Sequence, residues 1–236
     1  MKNKYKLHSP VKILLALIFF STTVLAQELK VTEVKGDVKY QSSTSEKWIE
    51  IKNGEVLQPN GFISTGKNSL VKIDDKGSQI SIGELSAVSI SSIKKMTTDE
   101  LLLALAMEDM INAPKTNGNG NSKSTATYGE KETAGTTNQL KTDDFGVKRL
   151  NGAIQLAENG LEESAVVFAK ETYRKYPDTK KLASYRIFFA DVLFQKGLYE
   201  EALGDYFDIQ TLELNKEQAA KVQSQIDKIN KIMLNN

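Results

Sequence analysis

Leu193-Phe-Gln-Lys-Gly-Leu-Tyr-Glu-Glu-Ala-Leu-Gly-Asp-Tyr206 is the stretch that decides how the chain is read. Apolar residues approach Gly197 at helical spacing, and a new apolar stripe (Ala202, Leu203, Tyr206) leaves it. Glycine supplies the positive φ of a tight turn, so the stretch predicts two helices folded back on each other. The pattern occurs twice, with Gly160 lying 37 residues before Gly197. Ala153 and Ala190 stand seven residues before the two glycines, Leu156 and Leu193 four before, and Ala165 and Ala202 five after. Small residues at those places let paired helices approach closely, while the large ones fill the seam between them.

The second unit closely resembles a tetratricopeptide repeat, with Gly197, Tyr199, Ala202 and Tyr206 at its signature places. In the first unit Pro177 stands where that family ends its second helix. That unit departs from the pattern in having Glu162 at the aromatic position, and the period exceeds the family's usual length. An ordinary helical bundle with coincident glycines is the alternative. An amphipathic helix at 216–234 resembles the solvating cap that such arrays carry. The resemblance implies a surface for binding a protein partner.

Residues 28–93 change period. Val71-Lys-Ile73, Ile80-Ser-Ile82 and Val88-Ser-Ile90 alternate apolar and polar, as half-buried strands do. Gly36, Gly54, Gly61, Gly66 and Gly77 punctuate the runs, predicting seven or eight strands in one compact unit. The ordered series Gly36, Trp48, Gly61, Thr65-Gly66, Ser69, Gly77-Ser78 and Gly83 resembles the extracytoplasmic FecR domain over residues 31–93. Pro59-Asn60-Gly61 stands where that family more often has Gly-Asp. In this setting Trp48 reads as a core or edge residue, with stacking on a sugar as the other reading.

Thr97-Thr-Asp-Glu100 is a capping-box pattern opening a helix over 97–112. Its leucines and methionines form a very wide apolar face. Two readings stand: the helix closes the bottom of the β unit, or it is a docking helix for a partner. Residues 113–141 are rich in Asn, Gly, Ser, Thr and Lys, the composition of a disordered linker. Loose coupling of the flanking domains is expected. At the N-terminus, Lys2, Lys4, Lys6 and Lys12 precede the apolar run Ile13–Phe20, and Val24 and Ala26 occupy the positions that a signal peptidase reads. Cleavage between Ala26 and Gln27 is expected, with a retained membrane anchor as the alternative. It would remove four lysines, no acids and the sole histidine, His8, taking the net charge from +1 to −3.

The chain has 31 Lys and Arg against 30 Asp and Glu, and no cysteine. Near-neutrality argues against a nucleic-acid partner. With no Cys and no mature His, thiolate chemistry, imidazole catalysis and the commonest metal ligands are excluded. Asp74-Asp75-Lys76-Gly77 reads as a hairpin turn, and Asn117-Gly-Asn-Gly120 lacks the surroundings of a phosphate loop. No catalytic, cofactor-binding or metal residues are therefore expected.

The resulting expectation is an α+β multidomain protein. A signal peptide (1–26) precedes a FecR-like β domain with a closing helix (27–112), a linker (113–141) and a tetratricopeptide-like helical domain (142–236). The resemblances imply a non-enzymatic binding or scaffolding module of the bacterial periplasm or cell envelope. The β domain would bind a cell-wall or envelope component, the helices would bind a protein, and no stable membrane span would remain after cleavage. Alternatives are FecR-type transmembrane signalling, disfavoured because no sigma-factor-binding part precedes the export signal, and a carboxylate-based cell-wall hydrolase.

Overall fold

Alternation along the strands sets the N-terminal half. A computed structural model describes residues 29–42, 44, 45, 47–112 and 144–235. The leader, its cleavage residues Ala26 and Gln27, and the linker at 113–141 lie outside the described residues. Eight strands run as β1 (Leu29–Lys35), β2 (Val38–Gln41), β3 (Trp48–Glu50), β4 (Val56–Leu57), β5 (Phe62–Thr65), β6 (Leu70–Asp75), β7 (Ser78–Ile82) and β8 (Ala87–Ser89). They form two antiparallel four-stranded sheets, ordered β4-β1-β6-β7 and β3-β2-β5-β8. Val31, Val38, Ile63, Val71, Ile73, Ile80, Ile82 and Val88 are buried in the core, while alternate residues such as Lys30, Thr32 and Lys39 face water.

Turn chemistry holds the strands in register. Lys76 and Gly77 both take positive φ (50° and 90°), and the β6–β7 hairpin pairs Asp75 with Ser78 around them. Gly36 sits at φ 77°, and a Cβ there would overlap the Ser69 hydroxyl, which accepts a hydrogen bond from the Asp37 N–H at 2.8 Å. The Thr65 hydroxyl donates to the Gly83 carbonyl (2.6 Å) and accepts from the Ser86 N–H (2.9 Å). The glycine, serine and threonine series of the β unit is thus a set of turn and strand-tie residues.

The C-terminal half is helical. After α1 (Thr98–Asn112) come α2 (Phe145–Glu158), α3 (Glu162–Lys175), a 3-10 turn from Pro177 to Lys181, α4 (Ala183–Gln195), α5 (Tyr199–Gln210) and α6 (Lys216–Leu234). Two hairpins, α2–α3 and α4–α5, turn at Gly160 and Gly197, whose φ values are 78° and 77°. Ala153, Ala165, Ala190 and Ala202 are fully buried at the helix seams. Two ion pairs recur at the same 37-residue spacing. Arg149 Nη2 lies 3.5 Å from Glu171, and Arg186 Nη2 lies 3.6 Å from Asp208. Glu162, in place of the aromatic, pairs with Lys196 at the second turn, which Glu163 also holds at 2.8 Å.

The two halves do not sit loosely: a continuous buried core joins them. Helix α2 lies on β7 and β8. Three amides on one face, at i, i+4 and i+8, meet the backbone of β7 and of the β7–β8 connection. Asn159 accepts from the Ser81 N–H and donates to the Ser81 carbonyl, both at 2.9 Å. Gln155 accepts from the Gly83 N–H (3.1 Å), and Asn151 donates to the Leu85 carbonyl (2.7 Å). Gly152 lies between them, and a Cβ there would overlap the Ala87 carbonyl oxygen. The expectation of loose coupling is corrected on this seam. It is built from polar side chains, which carry no apolar signal in the sequence.

Arg149 completes the seam. Its guanidinium is buried, 4.3 Å from the Phe168 ring centre and 5.1 Å from Phe62 of β5, with Nε donating to Thr172. Burial lowers its pKa, and the Glu171 carboxylate opposes that shift. Phe145 adds an edge contact to Trp48, with ring centres 6.0 Å apart. Trp48 is therefore an edge-strand residue that holds the helices.

Gly152→Val should overpack this seam and lower stability by ~1–3 kcal/mol. Gly204→Ala, in an exposed helix position with open space around it, should raise stability by up to ~1 kcal/mol. Chemical denaturation checks both. Equal effects at the two sites would contradict the seam.

Candidate functional site

The capping box at Thr97 forms as the sequence predicts. The Thr97 N–H donates to the Glu100 carboxylate (2.7 Å), and the Glu100 N–H donates to the Thr97 hydroxyl (3.2 Å). The Thr97 backbone bond holds the Glu100 carboxyl below its ordinary pKa. Helix α1 does not close the β unit. It packs on α3 of the helical half, burying Leu101 and Leu105, and Arg174 Nε donates to Glu108 at 2.9 Å. The sequence offers no signal for this choice, because Leu101 and Leu105 are as apolar as their exposed neighbours.

The opposite face of α1 is bare. Leu103, Met107, Met110 and Ile111 are each more than half exposed. Their spacing of i, i+4, i+7 and i+8 puts them on one side of the helix. A contiguous apolar face of this kind marks an interaction surface more often than a chance exposure.

Beside α1 lies a cleft of about 590 Å³. Glu108 and Asp109 of α1 form one wall, and Glu200, Glu201, Gly204, Asp205 and Asp208 of α5 form the other. Lys170, Tyr173 and Arg174 of α3, Lys180 of the 3-10 turn and Arg186 of α4 also line it. Asp205 is buried and takes Lys170 Nζ at 2.5 Å and Arg186 Nη2 at 3.7 Å. Arg186 also lies over the Tyr173 ring, 5.5 Å from its centre. The Tyr173 hydroxyl is buried without a hydrogen-bond partner among the described residues. Four helices and the 3-10 turn build this cleft, so no local motif announces it.

The residues predicted from the repeat do not line the cleft. Tyr206 donates to Asp191 (2.5 Å), which also accepts from Gln225 (3.0 Å) and pairs with Lys221 of α6. Tyr199 packs on Phe194, and Pro177 opens the 3-10 turn. These residues hold the array together. Among the described residues, no group of three or more His, Cys, Asp or Glu could hold a metal ion, and no helix is long and apolar enough to cross a membrane. No family model, curated protein or solved structure matches the chain.

Burial raises the pKa of Tyr173, Tyr176, Tyr185 and Tyr206, with the Asp191 hydrogen bond adding to the shift at Tyr206. A raised folded-state value means that the associated stability is complete below the unfolded tyrosine pKa, ~10, and is lost as pH climbs above it. Alkaline titration should give phenolate absorbance in two stages, the second coinciding with loss of helical circular dichroism. A single stage near pH ~10 with helices intact would contradict the burial.

Proposed function

We propose that the chain is an exported, non-enzymatic envelope protein that docks another protein on its helical half. The single observation that carries this reading is the bare apolar face of α1 beside an open, charged cleft. Large apolar side chains held on a capped, anchored helix gain by leaving water, and a protein surface supplies that burial. The two helical hairpins support a tetratricopeptide-like array, and the turn residues of the β sandwich support a FecR-like unit. In this reading the β unit contacts a cell-wall or envelope component. It also covers the first hairpin, standing where a preceding repeat would stand.

A photo-crosslinker at position 107, in the native host, should give discrete protein adducts that disappear with Met110→Asp. The same crosslinker at the exposed Ala220 of α6 should not give them. Matching adducts from both positions, or none from position 107, would overturn the docking reading. The intact mass of the protein from the same cells should begin at Gln27, and a retained Met1 would overturn export with cleavage.

A further inference from the structure

We infer that Met107 and Met110 of α1 are modification sites: a peroxide-class oxidant converts them to methionine sulfoxide in the folded protein, and this switches the docking face of the helix from apolar to polar. The inference rests on the docking reading above and names how that face is regulated. The chain has no cysteine, so methionine holds its only sulfur. Of the four methionines among the described residues, Met110 is 77% exposed, Met107 55% and Met233 43%, while Met96 is half-buried. The two most open ones lie three residues apart, so they are neighbours on one side of α1, in the stripe that runs from Leu103 to Ile111.

The step balances with one oxidant. A lone pair of the thioether sulfur attacks an oxygen of hydrogen peroxide, the S–O bond forms as the O–O bond breaks, and water leaves after proton transfer. Sulfur gives up two electrons and the peroxide oxygen takes them. A thioether needs no deprotonation before it reacts, so access to the sulfur sets the rate. A dithiol-dependent sulfoxide reductase reverses the change, releasing the oxygen as water while its dithiol becomes a disulfide.

The residues that anchor α1 carry no sulfur. Leu101 and Leu105 are buried on the anchored side, and Glu108 is held by Arg174 at 2.9 Å. The Thr97–Glu100 capping box fixes the first turn. Oxidation therefore leaves the helix seated and places its new dipoles on the exposed side, where water hydrates them. A partner that covers this face must remove that water, and a polar group buried without a hydrogen bond costs free energy that a thioether does not. Two sulfoxides within a stripe of four large apolar side chains thus remove the gain that drives docking.

The test uses the full chain purified from its host, hydrogen peroxide, and peptide mapping by mass spectrometry. Met107 and Met110 should become sulfoxides at least ~3-fold faster than Met96, with helical circular dichroism unchanged. Retention on a hydrophobic-interaction column should fall as they form and return after treatment with methionine sulfoxide reductases. Met107→Leu/Met110→Leu keeps an apolar face without sulfur, so peroxide should leave its retention unchanged. Met233 also oxidises, at the end of α6, and Met233→Leu should respond to peroxide as the parent does. In the native host, a photo-crosslinker at position 103 leaves both methionines of α1 in place. Peroxide should lower its adduct yield roughly fivefold or more. In the double leucine variant the ratio of treated to untreated yield should not change, whatever the starting yield. Met96 oxidised ahead of Met107 and Met110, loss of helix as they oxidise, or an equal peroxide response in the double leucine variant would overturn the inference. Undiminished adducts with both sulfoxides formed would overturn the switch and leave docking standing. No adducts at position 103 in untreated cells would remove docking and the switch with it, while the fall in column retention would still uphold the two modification sites.

Discussion

The seating of α2 on the edge of the β sandwich is the constraint on which the rest of the architecture depends. A strand edge exposes N–H and C=O groups that cost free energy if buried without partners. Here Asn151, Gln155 and Asn159 take up the groups of Ser81, Gly83 and Leu85, and Gly152 lets the helix axis come close enough for them to reach. An apolar helix face could bury area against the same edge, yet it would leave those backbone groups unsatisfied. Each such group costs ~1–3 kcal/mol, so the amide ladder decides where the helix can sit.

Once α2 is seated, the remaining helices follow by repetition. The Arg149–Glu171 pair and the Arg186–Asp208 pair are one arrangement used twice, 37 residues apart. In the first copy the guanidinium lies against Phe62 of the sandwich and Phe168, and in the second it lies against Tyr173 of the preceding hairpin. The sandwich therefore lies against the first hairpin much as the first hairpin lies against the second. Helix α6 follows, tied by Lys221 and Gln225 to Asp191. The bare face of α1 and the cleft beside it are what this packing leaves open to solvent.

Much of the fold was legible because it rests on local chemistry. Gly160 and Gly197 turn the hairpins, Lys76-Gly77 turns the β6–β7 strands, and Thr97 with Glu100 caps α1, each through atoms a few residues apart. The union of the two halves was not legible. Asn151, Gln155 and Asn159 have the spacing of an ordinary solvated stripe, and their partners lie some 70 residues away in sequence. The docking of α1 on α3 was hidden for the opposite reason, since Leu101 and Leu105 do not differ in kind from Leu103. Nor did the cleft show itself, because its charges come from α1, α3, the 3-10 turn, α4 and α5 and gain meaning only when those elements converge.

The central claim is that the sandwich and the helical array form one cooperative body through the α2 seam. Native-state hydrogen exchange read by mass spectrometry tests it most directly, comparing peptides from 62–75 in the sandwich with peptides from 183–210 in the array. The account predicts the same opening free energy for the slowest amides of both, and an equal loss of protection in both when Gly152 is replaced by valine. Full protection retained at 62–75 while 183–210 exchanges freely would contradict it.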